Sequence, residues 1–317
     1  MNDYKIIELL CSSETDNIAL AEQLLVSQGW ELETILKKYG YYDCGICSTD
    51  DFLKVNLNCY GRKLLSLPEL LPNSIKVLDC SDNLLNKLPE HLLNSLEQLS
   101  CHNNQLTALS DNLPHSLKHL NCSHNKLTAL PDNLPHSLKR LNCSHNKLTA
   151  LPDNLPNSLE GLSCYNNQLS KLPENLPHSL KYLSCVKNQL ITLPENLPCY
   201  LDKLFCSHNK ITVLPTQLPS KFWILDFNYN QLIALPDKLP SSLKYLYCSH
   251  NQITALPAQL PDTLTELHFN NNQIEYLPEV LPANLTTISC DNNPIKNIEV
   301  LDKEFHKQGT LWIRKNQ

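Results

Sequence analysis

Residues 137–157 read SLKRLNCSHNKLTALPDNLPN, and this 21-residue sentence decides the fold because the chain repeats it without insertion or deletion. Copies start at Ser74, Ser95, Ser116, Ser158, Ser179, Tyr200, Lys221, Ser242 and Thr263. A degenerate copy begins at Leu53 and an incomplete one at Asn284. A fixed period in this range means a solenoid, because a unit this short cannot bury its apolar face alone and must bury it against its neighbours.

Counting from the leading Ser, apolar residues recur at positions two, five, seven, twelve, fifteen and nineteen; here they are Leu138, Leu141, Cys143, Leu148, Leu151 and Leu155. Positions five and seven alternate with polar neighbours, as a half-buried strand requires. Stacked repeats then form a parallel sheet with strands roughly 4.8 Å apart. No helical period fits inside a repeat, and Pro152 and Pro156 predict an extended return with polyproline II and turn character. Position ten is Asn in every copy from Asn83 to Asn293. An inward Asn offers both a carbonyl and an amide to backbone groups that leave the sheet, so this column reads as structural.

The pattern LxxLxCxxNxLxxLPxxLP resembles the leucine-rich repeat family, and its proline-punctuated form is similar to the short bacterial repeats of the YopM and IpaH-type effectors. The resemblance spans about residues 53 to 298. It implies a curved, right-handed solenoid with the sheet on its concave side, a helical N-terminal segment and a protein-binding role. IpaH-type ligases carry a catalytic domain after their repeats, which this sequence does not show. Cys at position seven also departs from the effector pattern.

The chain has 317 residues, a net charge of −6 and few glycines. The charge on the sheet-face positions nearly cancels, which speaks against a nucleic-acid groove. No apolar run reaches the roughly 18 residues of a membrane span. The start, MNDYKIIELL, lacks the features of a Sec signal peptide. Of 14 cysteines, ten occupy position seven: Cys59, Cys80, Cys101, Cys122, Cys143, Cys164, Cys185, Cys206, Cys248 and Cys290. Phe227 and Phe269 replace them in two copies, so the site wants an apolar filler. Strand spacing exceeds the ~3.5–4.5 Å that disulfide Cβ atoms prefer. Buried free thiols on this scale point to a reducing, cytoplasmic compartment, either the producing cell's or, as the effector resemblance implies, a host cell's after translocation.

Residues 1–50 stand outside the repeat and read as short helices forming an N-terminal cap, with Leu20, Leu24, Leu25, Ile35 and Leu36 on an apolar face. Cys44 and Cys47 form a lone CxxC with no second pair, too little for a zinc or redox site. Residues 51–298 hold the repeats, and 299–317 read as a C-terminal cap. There LDKEFHKQG predicts a helical turn and TLWIRKNQ a final strand, with Phe305, Leu311, Trp312 and Ile313 as the plug.

Positions three, four, six, eight and nine are expected on the sheet's outer face. In the later repeats these carry Tyr182, Phe205, Trp223, Ile224, Tyr229, Tyr245 and Tyr247, a candidate partner-binding patch, because exposed aromatics mark interaction sites. The early repeats instead present Lys118, His119, His124, Lys139, Arg140 and His145, a secondary polar patch that also reads as solvated surface. No nucleophile, base and orienting group come together, and no cofactor or metal motif is present. The reading is a non-catalytic module that binds a protein partner on the concave face, an effector or adaptor. The alternatives are a self-assembling homo-oligomeric structural protein and a peptide or glycan binder.

Overall fold

The computed structural model describes residues 55–67, 71 and 75–315. The expected helices of residues 1–50 and the Cys44–Cys47 pair lie outside these. The described residues fall into two compact units, one running to Leu148 with Asn154–Leu159, the other comprising Thr149–Asp153 and Glu160 onward. In both, each repeat is one turn of a parallel-strand solenoid.

The first unit holds β1 (Val55–Asn58), β2 (Ile75–Asp79), β3 (Gln98–Ser100), β4 (His119–Asn121) and β5 (Arg140–Asn142). The second holds β6 (Gly161–Ser163), β7 (Tyr182–Ser184), β8 (Lys203–Phe205), β9 (Ile224–Asp226), β10 (Tyr245–Tyr247), β11 (Glu266–His268) and β12 (Thr287–Ser289). Within each unit, from β2 to β5 and from β6 to β12, register pairs residues one period apart, as in Lys203↔Ile224 and Ile224↔Tyr245. Position five therefore always stacks on position five, and each of Leu204, Leu225 and Leu246 is 0% exposed.

Each strand is followed by a bend at position nine. From Asp82 to Asn292 every residue at that position has φ between 51 and 58°, the left-handed region. Asn, Asp and His visit this region more readily than most residues, whereas Tyr229 and Lys187 are held there by the turns on either side. The carboxylate or amide at position six braces the bend by accepting the N–H of position eight, as Asn228 N–H to Asp226 Oδ1 at 3.0 Å. This turn corrects one expectation. Position eight is buried rather than exposed where it is Ser, as Ser81, Ser123, Ser144, Ser207 and Ser249 are, and Ser123 Oγ donates to Asn121 Oδ1 at 2.8 Å. Position ten then supplies the expected ladder: Asn209 Nδ2 donates to the carbonyls of Cys185 (3.0 Å), Cys206 (2.9 Å) and Ser207 (3.3 Å), and its Oδ1 accepts Leu190 N–H at 3.0 Å. The hydroxyl that opens a repeat also ties it to the one before, since Ser242 Oγ donates to the carbonyls of Ser220 and Phe222, at 2.7 and 2.6 Å. The proline-bearing returns contain neither helix nor strand among the described residues.

The C-terminal segment differs from its expectation. Helix α1 (Glu299–Glu304) stops at Phe305, and Phe305–Gln308 forms β13 rather than continuing the turn. Gly309, at φ 62°, makes the hairpin into β14 (Leu311–Arg314), which lies antiparallel on β12. Leu301, Phe305 and Trp312 are buried beneath it. Arg314 donates through Nε to Leu285 O at 2.6 Å, pairs with Glu304 and stacks its guanidinium over Phe305.

The position-seven thiols are free and buried. Several donate along the solenoid to the next repeat's carbonyl, as Cys164 Sγ to Ser184 O at 3.4 Å. The sulfurs of Cys185 and Cys206 lie 3.4 Å apart, far beyond the ~2.05 Å of an S–S bond. Burial pushes the Cys122 and Cys248 thiols up to about 12. Cys199, at position twenty-one, is exposed. Brief iodoacetamide treatment at pH 8 followed by peptide mapping should therefore find Cys199 alkylated and Cys122 and Cys248 untouched until urea is added. Equal labelling of all three in the native state would show that the thiol column opens to solvent.

Candidate functional site

Two side-chain columns build the outer face of the second unit. The pleat turns positions four and six away from the core that position five enters. Along position four, Tyr182, Lys203, Ile224, Tyr245 and Glu266 follow one another in register. Along position six the order is Ser184, Phe205, Asp226, Tyr247 and His268. Trp223, at position three, lies beside them. The aromatic members are half-buried, each partly covered by a neighbour and partly open.

The rings touch. Tyr182 and Phe205 have centroids 5.8 Å apart, and Trp223 meets Tyr245 edge-on at 5.8 Å. Tyr245 continues to Tyr247 at 6.4 Å, and Tyr247 to His268 at 5.1 Å. Lys203 Nζ sits 5.0 Å from the Trp223 ring. Tyr247 donates its hydroxyl to Glu266 Oε2 at 2.9 Å, and burial with that carboxylate drives its pKa well up. His268 Nε2 is buried without a hydrogen-bond partner, and burial holds its pKa down.

Six of the seven expected patch residues thus share one face. Tyr229 does not join their ring contacts. Its place on the left-handed turn puts its ring between His208 and His250, at 4.2 and 4.0 Å with interplanar angles of 9 and 10°. Sequence reading counted Lys203 among the charges of the face but missed His268 as a member of it. The signal was available, since His268 occupies the same column as Tyr247.

The polar patch lies in the first unit. Lys118 is bound to Glu97 at 2.7 Å, so its charge is largely answered. Lys139 and Arg140 are exposed. Arg140 stands beside His119 in register, and burial together with Arg140, Lys139 and Lys118 holds the His119 pKa down. His124 and His145 stack at 3.9 Å and 16° on their left-handed turns. The patch is therefore two pieces, a pair of exposed cations by His119 and a histidine stack at the strand ends. Among the described residues no group of three or more His, Cys, Asp or Glu could hold a metal ion, and no helix is long and apolar enough to cross a membrane.

The Leucine Rich Repeat family model matches residues 116–136 and 137–157. YopM from Yersinia pestis, a leucine-rich effector protein, is 33% identical, with a TM-score of 0.60 over 75% of this chain and 77% of that one. The chain belongs to the leucine-rich repeat family. A leucine-rich repeat protein of Leptospira interrogans is 32% identical, with a TM-score of 0.67 over 76% of this chain and 66% of that one. The functional domain of InlJ from Listeria monocytogenes, which includes a cysteine ladder, is 27% identical, with a TM-score of 0.72 over 78% and 55%. This leucine-rich repeat chain thus spans less than two thirds of the Leptospira and Listeria chains. No curated protein matches it.

Proposed function

We propose that this chain is a non-catalytic interaction module that docks a protein partner on the sheet face of its second unit, in a reducing compartment. The observation that carries this reading is the contiguous ring surface Tyr182–Phe205 and Trp223–Tyr245–Tyr247 on a face that no described segment covers. Aromatic side chains in such settings supply large contact area for little lost freedom, and Trp and Tyr dominate interface hot spots. The hydrogen-bonded ladder beneath holds them at fixed spacing, so docking orders few residues. Kinship with YopM, an effector, supports an effector or adaptor role. Residues 51–298 would form the binding array, flanked by caps at 1–50 and 299–317.

The test is immobilised wild-type chain against the Trp223→Ala, Tyr245→Ala double variant, offered host and native lysates. A partner retained by the wild type and lost by the double variant is expected. Trp223→Ala alone should weaken that partner about 30-fold, on the order of 2 kcal/mol. Equal capture by both chains, with the variant's circular dichroism unchanged, would remove this face from the site. Light scattering of the free chain separates a partner from self-association.

A further inference from the structure

Asp226 is the one carboxylate in the position-six column of the aromatic face, between Phe205 on one strand and Tyr247 on the next. The bend it braces does not require a charge. Asn121 and Asn142 occupy the same position in the first unit and accept the same N–H, from Ser123 at 3.2 Å and from Ser144 at 3.1 Å. Asp226 makes that bond to Asn228 and is half-buried, yet it forms no ion pair with a described lysine or arginine. Lys203, on the adjoining strand, is aligned with Ile224 and extends over Trp223. Burial therefore pushes the Asp226 carboxyl up, and its bonds from Asn228 and Ser207 and the nearby His208 offset only part of this. Among the described residues this carboxylate thus has no lysine or arginine of its own. Phe205 and Tyr247 flank it in register, and Lys203 over Trp223 shows that a ring of this face takes an ammonium.

We propose that Asp226, with Phe205, Tyr245 and Tyr247, forms a socket for a lysine or arginine side chain of the protein partner. The inference rests on the docking face proposed above and adds its charge requirement. A basic side chain entering between the rings would pair with the carboxylate and lay its methylenes on aromatic carbon. A neutral apolar chain of equal length would leave the carboxylate unanswered, so the socket discriminates by charge.

The probes are N-acetyl-lysine methylamide, its arginine counterpart and its norleucine counterpart, titrated into the full chain while the Trp223 indole N–H is followed by NMR. Saturable shifts with lysine or arginine, at least tenfold weaker in Asp226→Asn and absent with norleucine, are expected. Asn keeps the bend, as Asn121 and Asn142 do, so the variant folds. A carboxyl whose folded pKa is raised weakens the fold once pH rises above its unfolded value, and Asp226→Asn should therefore melt no lower than the parent at neutral pH. Norleucine shifting the signal as lysine does, an undiminished response in Asp226→Asn, or no response to any probe would overturn the socket. A captured partner lost with the Trp223, Tyr245 double variant but kept by Asp226→Asn would likewise discard the socket while leaving the docking face in place.

Discussion

Replacing Asn188 by Ala is expected to cost about 3 kcal/mol of stability, more than a surface residue contributes, because one amide closes four backbone bonds. Its Nδ2 donates to the carbonyls of Cys164, Cys185 and Val186 at 3.0, 3.0 and 3.3 Å, and its Oδ1 accepts Leu169 N–H at 3.0 Å. All of this is buried, with Asn188 only 8% exposed. Ala leaves the Leu169 N–H and the carbonyls facing a space with no partner, and each orphan costs about 1–3 kcal/mol. Asp at the same position retains the acceptor but turns a negative oxygen toward carbonyl oxygens, so Asn188→Asp should be no better than Ala at neutral pH. Urea unfolding followed by circular dichroism checks both. A loss below about 1 kcal/mol would mean that water enters and replaces the amide.

The sequence made the asparagine column legible because its period is strict and its chemistry admits one use. Position five facing inward and position seven as a thiol column were equally readable from alternation alone. Other features hide from a reading of single repeats. The leading Ser242 hydroxyl bonds to residues 20 and 22 positions back, an arrangement that only stacking creates. The left-handed turn at position nine has no uniform residue signal, since Asp82, His124, Lys187 and Tyr229 all adopt it. That turn is why Ser144 is buried although alternation puts position eight outside, and why Tyr229 stacks between histidines apart from the other tyrosines. The C-terminal strand Phe305–Gln308 was hidden for another reason. Its sequence FHKQ has no strand alternation to distinguish it from a helical continuation, and Gly309 fixes the hairpin only once β12 offers an edge to pair with.

For the site, columns four and six were predictable and so were their aromatics. What the sequence withheld was contact. Trp223 and Tyr245 are 22 residues apart and occupy different columns, yet their rings meet at 5.8 Å. Asp226 reads in sequence as one more surface charge. Only its place between Phe205 and Tyr247 separates it from Asp79, which braces the same kind of bend by accepting the Ser81 N–H at 3.0 Å but lies between Asn58 and Ser100.

Phe227→Ala should be the most damaging change beneath this face, at about 4 kcal/mol, the sum of lost burial and the cavity left by a phenyl ring. Phe227 is 0% exposed and takes the position that Cys206 and Cys248 hold in the adjoining repeats. Phe222, in the same repeat, is also fully buried and stands where the other repeats have Leu or Ile. The repeat whose outer face carries Trp223 and Asp226 is thus the one whose inner face is filled by two rings. Phe227 N–H donates to Tyr247 O at 2.7 Å, so the backbone that holds the ring also links the strands on which Asp226 and Tyr247 stand. Loss of the ring should therefore lower both the unfolding midpoint and the affinity for any partner docked on this face, whereas Cys248→Ala, removing one sulfur from the next repeat, should cost only about 1 kcal/mol and leave affinity unchanged. A Phe227→Ala variant that loses less than about 2 kcal/mol would show that the neighbouring thiols and leucines close over the gap, and that the ring serves volume rather than the rigidity of the face.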